Sequence, residues 1–183
     1  MSSMSTDLQY FTLAAHELAR VAEIDRTERI DAIYVQHGSR LELVVGDRSS
    51  PPWDAEGDGE HSVATLRHML EEWMRRGATM RGSFAGERLV GLGGVLPHLR
   101  PDLAQLVFLY VSDGSRGRGI GRRLSDELDE IARAAGDASI VVSATPSVNT
   151  VRFYLGRGYA PTEEPLPELL ELEPEDIHME KPL

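Results

Sequence analysis

The hexapeptide Arg116-Gly117-Arg118-Gly119-Ile120-Gly121 joins the end of an apolar run to the start of an amphipathic segment, and this junction constrains the fold more than any other stretch. Before it, Leu106-Val107-Phe108-Leu109-Tyr110-Val111 reads as a strand covered on both faces. After it, Ile120, Leu124, Leu128, Ile131, Ala132 and Ala135 recur at helical spacing, and Gly136 supplies a C-terminal stop. A glycine-rich strand-to-helix turn leaves backbone N–H groups unpaired at the positive end of a helix dipole, so an anion can lie close against the main chain. Arg116, Arg118 and Arg122 flank the turn and add positive charge. The spacing is not Gly-x-Gly-x-x-Gly, and no Gly-Lys-Ser/Thr follows, so dinucleotide and P-loop turns fit worse.

A second block agrees with the first. Ser139 to Ala144 is a short apolar run, Thr145-Pro146-Ser147 a polar turn, and Asn149 to Leu155 a short helix leading into Gly158-Tyr159. The two blocks together resemble the GNAT family of N-acetyltransferases, whose Arg/Gln-x-x-Gly-x-Gly signature is matched by Arg116, Gly119 and Gly121. The resemblance covers about Leu8 to Tyr159 for the fold and is specific from Leu103 to Tyr159. It implies an α/β fold of the α+β mixed-sheet kind: a central, mostly antiparallel twisted sheet with splayed central strands, flanked by helices. It also implies a single N-acetyltransferase domain over residues 1–183, with a core at 8–160 and an acidic C-terminal strand segment at 161–183.

The same resemblance implies acetyl-CoA as co-substrate and direct acetyl transfer to an amine of a small molecule or peptide. Arg116, Gly117, Arg118, Gly119, Ile120 and Gly121 would hold the pyrophosphate, with Arg122 or Arg123 reaching outer phosphates. Backbone N–H groups of Leu109, Tyr110 and Val111 would meet the thioester carbonyl. Ser147 or Asn149 would contact the pantetheine amides, and Tyr154 would be the general acid for the departing thiolate. Family members often place a glutamate base on the central strand, but Leu103 to Val111 carries no carboxylate. Asp25 and Glu28, following the first helix, are the replacement candidates, and Glu171, Glu173 or His178 could face the acceptor pocket. The missing strand carboxylate motivates a rival: a weak or inactive acyl-CoA-binding sensor or interaction module of the same fold.

Charge narrows the partners. Of the net −11, the segment 161–183 carries eight acids and one lysine, leaving −4 for residues 1–160. Phosphates of nucleic acid would be repelled everywhere but at the arginine-rich turn, so no nucleic-acid partner is expected, and cationic acceptors are mildly favoured. No cysteine is present, and the six histidines show no metal-ligand spacing, so no metal is proposed. No apolar stretch approaches a membrane span, and the first residues lack the pattern of a secretory signal, so a cytoplasmic protein with no membrane partner is expected. A homodimer is compatible with this reading.

The remaining elements follow from pattern. Leu8 to Leu13 reads as a strand, Ala14 to Ile24 as an amphipathic helix, and Ser62 to Arg76 as a helix bearing Leu66, Met69, Leu70 and Trp73. Ile30 to Val35 and Leu41 to Val45 form a hairpin where the family usually has two helices. Thr79 to Ala85 and Leu89 to Leu96 form a second hairpin, whose Gly91, Gly93 and Gly94 predict a bulge or a close backbone approach. Trp53, in the loop beside Pro52, is the better of the two tryptophans as a pocket lid, and Ile177 opens the last strand.

Overall fold

A seven-stranded sheet in the order β1-β4-β5-β6-β7-β9-β8 organises the computed structural model, which describes residues 7–183. Its strands are β1 (Leu8–Thr12), β4 (Thr79–Ala85), β5 (Arg88–Arg100), β6 (Leu103–Val111), β7 (Ser139–Ala144), β8 (Ala160–Pro161) and β9 (Ile177–Pro182). All neighbours are antiparallel except β6 and β7, which run parallel. A separate hairpin pairs β2 (Glu28–His37) with β3 (Arg40–Ser50). The helices are α1 (Val63–Arg75), α2 (Ile120–Ala135), α3 (Val148–Gly156) and α4 (Pro167–Leu172). The mixed sheet flanked by helices is therefore the fold class that the resemblance implies.

Gly119 and Gly136 bracket α2, both in the left-handed region, at φ 78° and 100°. Ile120, Leu124, Leu128 and Ala132 are fully buried along one side of it. Each such apolar side chain contributes about 1.5–3 kcal/mol when taken from water. That face comes close because β5 is bare opposite it. A Cβ on Gly91 would stand 2.8 Å from Ile120 Cγ2, and one on Gly93 would stand 2.9 Å from Leu128 Cδ1. The expected close approach occurs on this strand, and the bulge beside it lies on the partner β6: Gly94 pairs with Phe108 but Val95 with Leu106, leaving Val107 of β6 as the extra residue.

That bulge decides the shape of the sheet centre. Pairing of β6 with β7 runs only from Leu103↔Ser139 to Leu106↔Val142, and it stops at the residue before the bulge. An inserted residue bends and twists its strand, so β6 leaves β7 from Val107 onward. Residues Phe108 to Val111 stay paired to β5 on one side and, among the described residues, pair with no strand on the other.

Several sequence expectations change. The segment expected to be an amphipathic helix over 14–24 is a 3-10 helix, Ala15–Glu23, which still buries Leu18 and Val21. α4 was not legible: its six residues, PELLEL, bury only Leu169 and carry no strong stripe. The hairpin is confirmed and longer than expected. Gln36 ties it to the sheet, accepting from the His178 N–H at 2.8 Å and donating to the Thr162 carbonyl at 2.9 Å. Residues 161–183 pack as part of the sheet, since β9 lies between β7 and β8.

Candidate active site at the splayed strands

The turn after β6 is built around its own arginine. The Arg116 guanidinium donates to the carbonyls of Val111 and Thr27, each at 3.2 Å, and to Asp113 Oδ1 at 3.2 Å. It therefore braces the turn from behind. Gly117 (φ 76°) and Gly119 (φ 78°) take left-handed backbone that a side chain would strain, and a Cβ on either would meet nothing within 4 Å. Gly121 differs, being helical, with an added Cβ in ordinary contact with Phe153 and Val111 at 3.4–3.6 Å. Gly119 offers no side chain to cap α2, so the first helical N–H groups lack a side-chain cap. Of the two arginines named for outer phosphates, Arg123 stacks on Tyr10 and pairs with Glu127, while Arg122 is exposed with no partner among the described residues. Arg118 is exposed and engaged.

From this turn the free edge of β6 runs back through Val111, Tyr110 and Leu109 to the bulge. Every second N–H along it faces the gap left by β7. The opposite wall is the start of α3, and its two polar candidates already hold partners. Ser147 is buried and caps the helix, accepting from the Thr150 N–H at 3.3 Å and donating to Thr150 Oγ1 at 2.9 Å. Asn149 donates to Glu28 Oε1 at 2.9 Å. Glu28 and Asn149, placed apart by sequence reasoning as base and pantetheine contact, are thus one bridge between β2 and α3.

Tyr154 sits beneath the gap with 4% of its surface exposed, its ring edge-on to Phe153 and Tyr159. Among the described residues its hydroxyl has no hydrogen-bond partner, and it is not wholly sealed from solvent. Burial first, then Tyr110 and Asp176, push its pKa far up, so it stays protonated and can donate. The same burial would raise the basicity of a thiolate lodged there, which keeps the two groups matched.

Asp25 and the acids of the tail divide sharply. Asp25 Oδ1 accepts from the Thr27 N–H at 2.9 Å, and its backbone binds Ser112 and Asp113. Its pKa is lowered by Thr27 first and by Arg116 among nearby charges. A turn-capping carboxylate made less basic is poorly suited to take a proton. Glu171 is exposed on α4. His178 is buried, its Nδ1 3.2 Å from Ser143 Oγ and its Nε2 donating to the Glu173 carbonyl at 3.1 Å; burial lowers its pKa, leaving it neutral. Glu173 is raised by burial of its carboxyl, offset by a hydrogen bond from Ser143.

Sequence reasoning missed Asp176. It stands at the start of β9, which lies beside β7, and couples electrostatically to both Tyr110 and Tyr154. Burial, then Glu173 and Glu175, push its carboxyl up to about 7. The acids of the tail were visible in sequence, but nothing in their spacing said which one turns inward. Tyr110 closes this end with Trp53 edge-on at 5.5 Å, and Arg26 stacks over Trp53 at 4.2 Å. Trp53 is thereby packed against the wall of the gap. Among the described residues no group of His, Asp or Glu is arranged to hold a metal ion, and no helix is long and apolar enough to cross a membrane.

Comparison with known proteins matches this fold. The model of an acetyltransferase (GNAT) domain matches residues 56–168. N-acetyltransferase 8B of Rattus norvegicus is 33% identical over 100 residues, covering 52% of this chain and 45% of that protein. The chain thus spans under half the length of that curated relative. Among solved structures, a nourseothricin acetyltransferase superposes with a TM-score of 0.71 at 15% identity, over 96% of this chain and 98% of the other. A putative streptothricin acetyltransferase of Bacillus anthracis in complex with acetyl coenzyme A gives 0.69 at 14% identity, over 95% and 96%. The PaiA N-acetyltransferase of Thermoplasma acidophilum in complex with coenzyme A gives 0.63 at 17% identity, over 97% and 99%. At such identities these structures speak to the fold alone.

Proposed function

The chain belongs to the GNAT acetyltransferase family, and from that premise we propose that it transfers an acetyl group from acetyl-CoA directly to an amine of a small molecule or peptide. The observation that carries this reading is the continuous path from the left-handed Gly119 turn, along the unpaired edge of β6, to the unpartnered hydroxyl of Tyr154. That path has a phosphate-binding end, a run of free N–H groups and a proton donor, in the order that an acyl thioester needs. Two of the similar structures hold acetyl coenzyme A or coenzyme A, which supports acetyl-CoA as the co-substrate.

In this reading the N–H groups of Gly119 to Gly121 take the pyrophosphate and Arg122 an outer phosphate. Backbone donors at Leu109 to Val111 meet the charge that develops on the thioester oxygen. Tyr154 donates to the departing sulfur. Arg116 keeps the turn in place, and Ser147 and Asn149 keep α3 in place. The acidic surface favours acceptors that carry positive charge. One domain over residues 1–183 carries the activity, and it acts without a metal.

A binding module without turnover would share the turn and the gap. Release of free CoA thiol from acetyl-CoA, measured with a mixed panel of amines and confirmed by the mass of an acetylated product, separates the two. The proposal expects thiol release that depends on an amine. Saturable binding of acetyl-CoA with no release above background would establish the module instead.

A further inference from the structure

We propose that Asp176 is the general base of the reaction and the anchor for a protonated primary amine. The inference rests on the acetyl-transfer reading above and names the group which that reading leaves open. Asp176 closes the turn between α4 and β9, its N–H donating to the Glu173 carbonyl at 3.2 Å, and that turn delivers it to the end of the sheet where β6 and β7 part. Its carboxylate is partly buried and has no hydrogen bond or ion pair among the described residues. The titratable groups that act with it are Glu173 and Glu175 of its own turn, Tyr110 of β6 and Tyr154 of α3. No cation is among them. A half-buried carboxylate without a partner is costly to keep, and a visiting ammonium would relieve that cost.

A second feature points to the same spot. Tyr154, almost wholly buried, also leaves its hydroxyl without a partner and couples to Asp176. An acid and a base, each lacking a hydrogen-bond partner among the described residues, with the carboxylate close enough to perturb the phenol, suit the two ends of one proton balance. The acceptor arrives as R–NH3+, and Asp176 takes one proton to give R–NH2. The amine lone pair then forms the N–C bond, and the C–S bond breaks. The second N–H proton is lost as the amide forms, and the sulfur gains one through Tyr154, leaving amide, CoA thiol and one proton on Asp176 for water. Burial beside Glu173 and Glu175 brings Asp176 near neutrality, where a base is most effective. Glu173 is a positioning residue, raising the affinity of Asp176 for its proton by like-charge repulsion.

The test compares amines that need deprotonation with one that does not. Protonated primary amines (1,4-diaminobutane, lysine and a lysine peptide amide) and hydroxylamine, unprotonated at neutral pH, are supplied to wild type, Asp176→Asn and Glu173→Gln. Acetyl-CoA affinity is measured in parallel by calorimetry. In Asp176→Asn, kcat/KM for the best protonated amine is expected to fall about a hundredfold, the scale of general base catalysis. The loss for hydroxylamine should be several-fold smaller, and acetyl-CoA affinity should stay near wild type. In wild type, kcat/KM rises with pH through neutrality, and Glu173→Gln moves that limb to lower pH. Equal loss for both kinds of acceptor, or no loss for either, overturns the assignment of Asp176. Failure of wild type to acetylate any of them, despite binding acetyl-CoA, overturns the acetyl-transfer reading and this inference with it.

Discussion

Lys181 donates its ammonium to Asp129 Oδ2 in a pair buried on both sides, with the ring of Tyr159 4.8 Å away. Lys181 is the one lysine of the chain, and the pair fastens β9 to the helix that follows the glycine turn. Asp129 Oδ1 has no partner among the described residues, so the geometry is incomplete. Removing one member strands the other charge: Asp129→Ala should cost about 3–5 kcal/mol of stability. Joint Asp129→Leu and Lys181→Met, which removes both charges and keeps volume, should recover most of it. Urea denaturation decides, and a loss under about 1 kcal/mol for Asp129→Ala, the scale of an exposed pair, would mean that water reaches the site.

Tyr154→Phe should leave acetyl-CoA affinity and melting temperature near wild type, because the ring still packs on Phe153 and Tyr159 and the lost hydroxyl had no partner. Turnover should fall about a hundredfold or more if the phenol assists the leaving thiolate. Steady-state rates beside a thermal melt test both halves. Unchanged turnover would reduce Tyr154 to a packing residue.

Asp176 makes stability depend on pH in a defined direction. Its folded pKa, about 7, lies above the ordinary carboxylate value, so the folded state binds the proton more tightly than the unfolded chain. Its ionisation therefore erodes stability as pH rises from about 4 to about 7, and the full penalty persists above that. Asp176→Asn should melt higher than wild type at pH 8, by up to a few kcal/mol at about 1.4 kcal/mol per pKa unit, and level with it near pH 4. Differential scanning calorimetry at the two pH values reads this directly. An equal difference at both would show that the carboxyl is not perturbed.

The legible parts of this protein are those with local causes. Gly119 and Gly136 mark the ends of α2 in sequence because left-handed backbone favours glycine, and the stripe Ile120, Leu124, Leu128 names its buried side. Gly91 and Gly93 announced the approach of that helix before any contact was visible. The gap itself was not derivable from pattern, because it follows from a one-residue register difference between Gly94–Val95 and Phe108–Leu106, a pairing between strands rather than a property of either. Asp176 was hidden for a related reason. Its neighbours Glu173 and Glu175 are as acidic in sequence, and only the docking of β9 between β7 and β8 turns one of them inward. Ser147 and Asn149 stand out in sequence as a polar turn and helix start, but their hydrogen bonds to Thr150 and Glu28 depend on the cap and on the hairpin crossing behind it.

The central claim is that acetyl-CoA binds with its pyrophosphate on the backbone of the turn at Gly119, and a matched pair of substitutions tests it most directly. Gly119 and Gly136 both hold left-handed backbone with nothing within 4 Å of an added Cβ, so Gly119→Val and Gly136→Val carry similar conformational strain at opposite ends of α2. Calorimetric titration of acetyl-CoA into each variant, beside its circular dichroism spectrum, separates strain from site. Gly119→Val should remain folded and lose binding by orders of magnitude, since each charge-assisted contact is worth roughly 1.5–3 kcal/mol, while Gly136→Val should bind near wild-type affinity. A folded Gly119→Val protein that binds acetyl-CoA as well as Gly136→Val would contradict the account, leaving the hexapeptide a turn and nothing more.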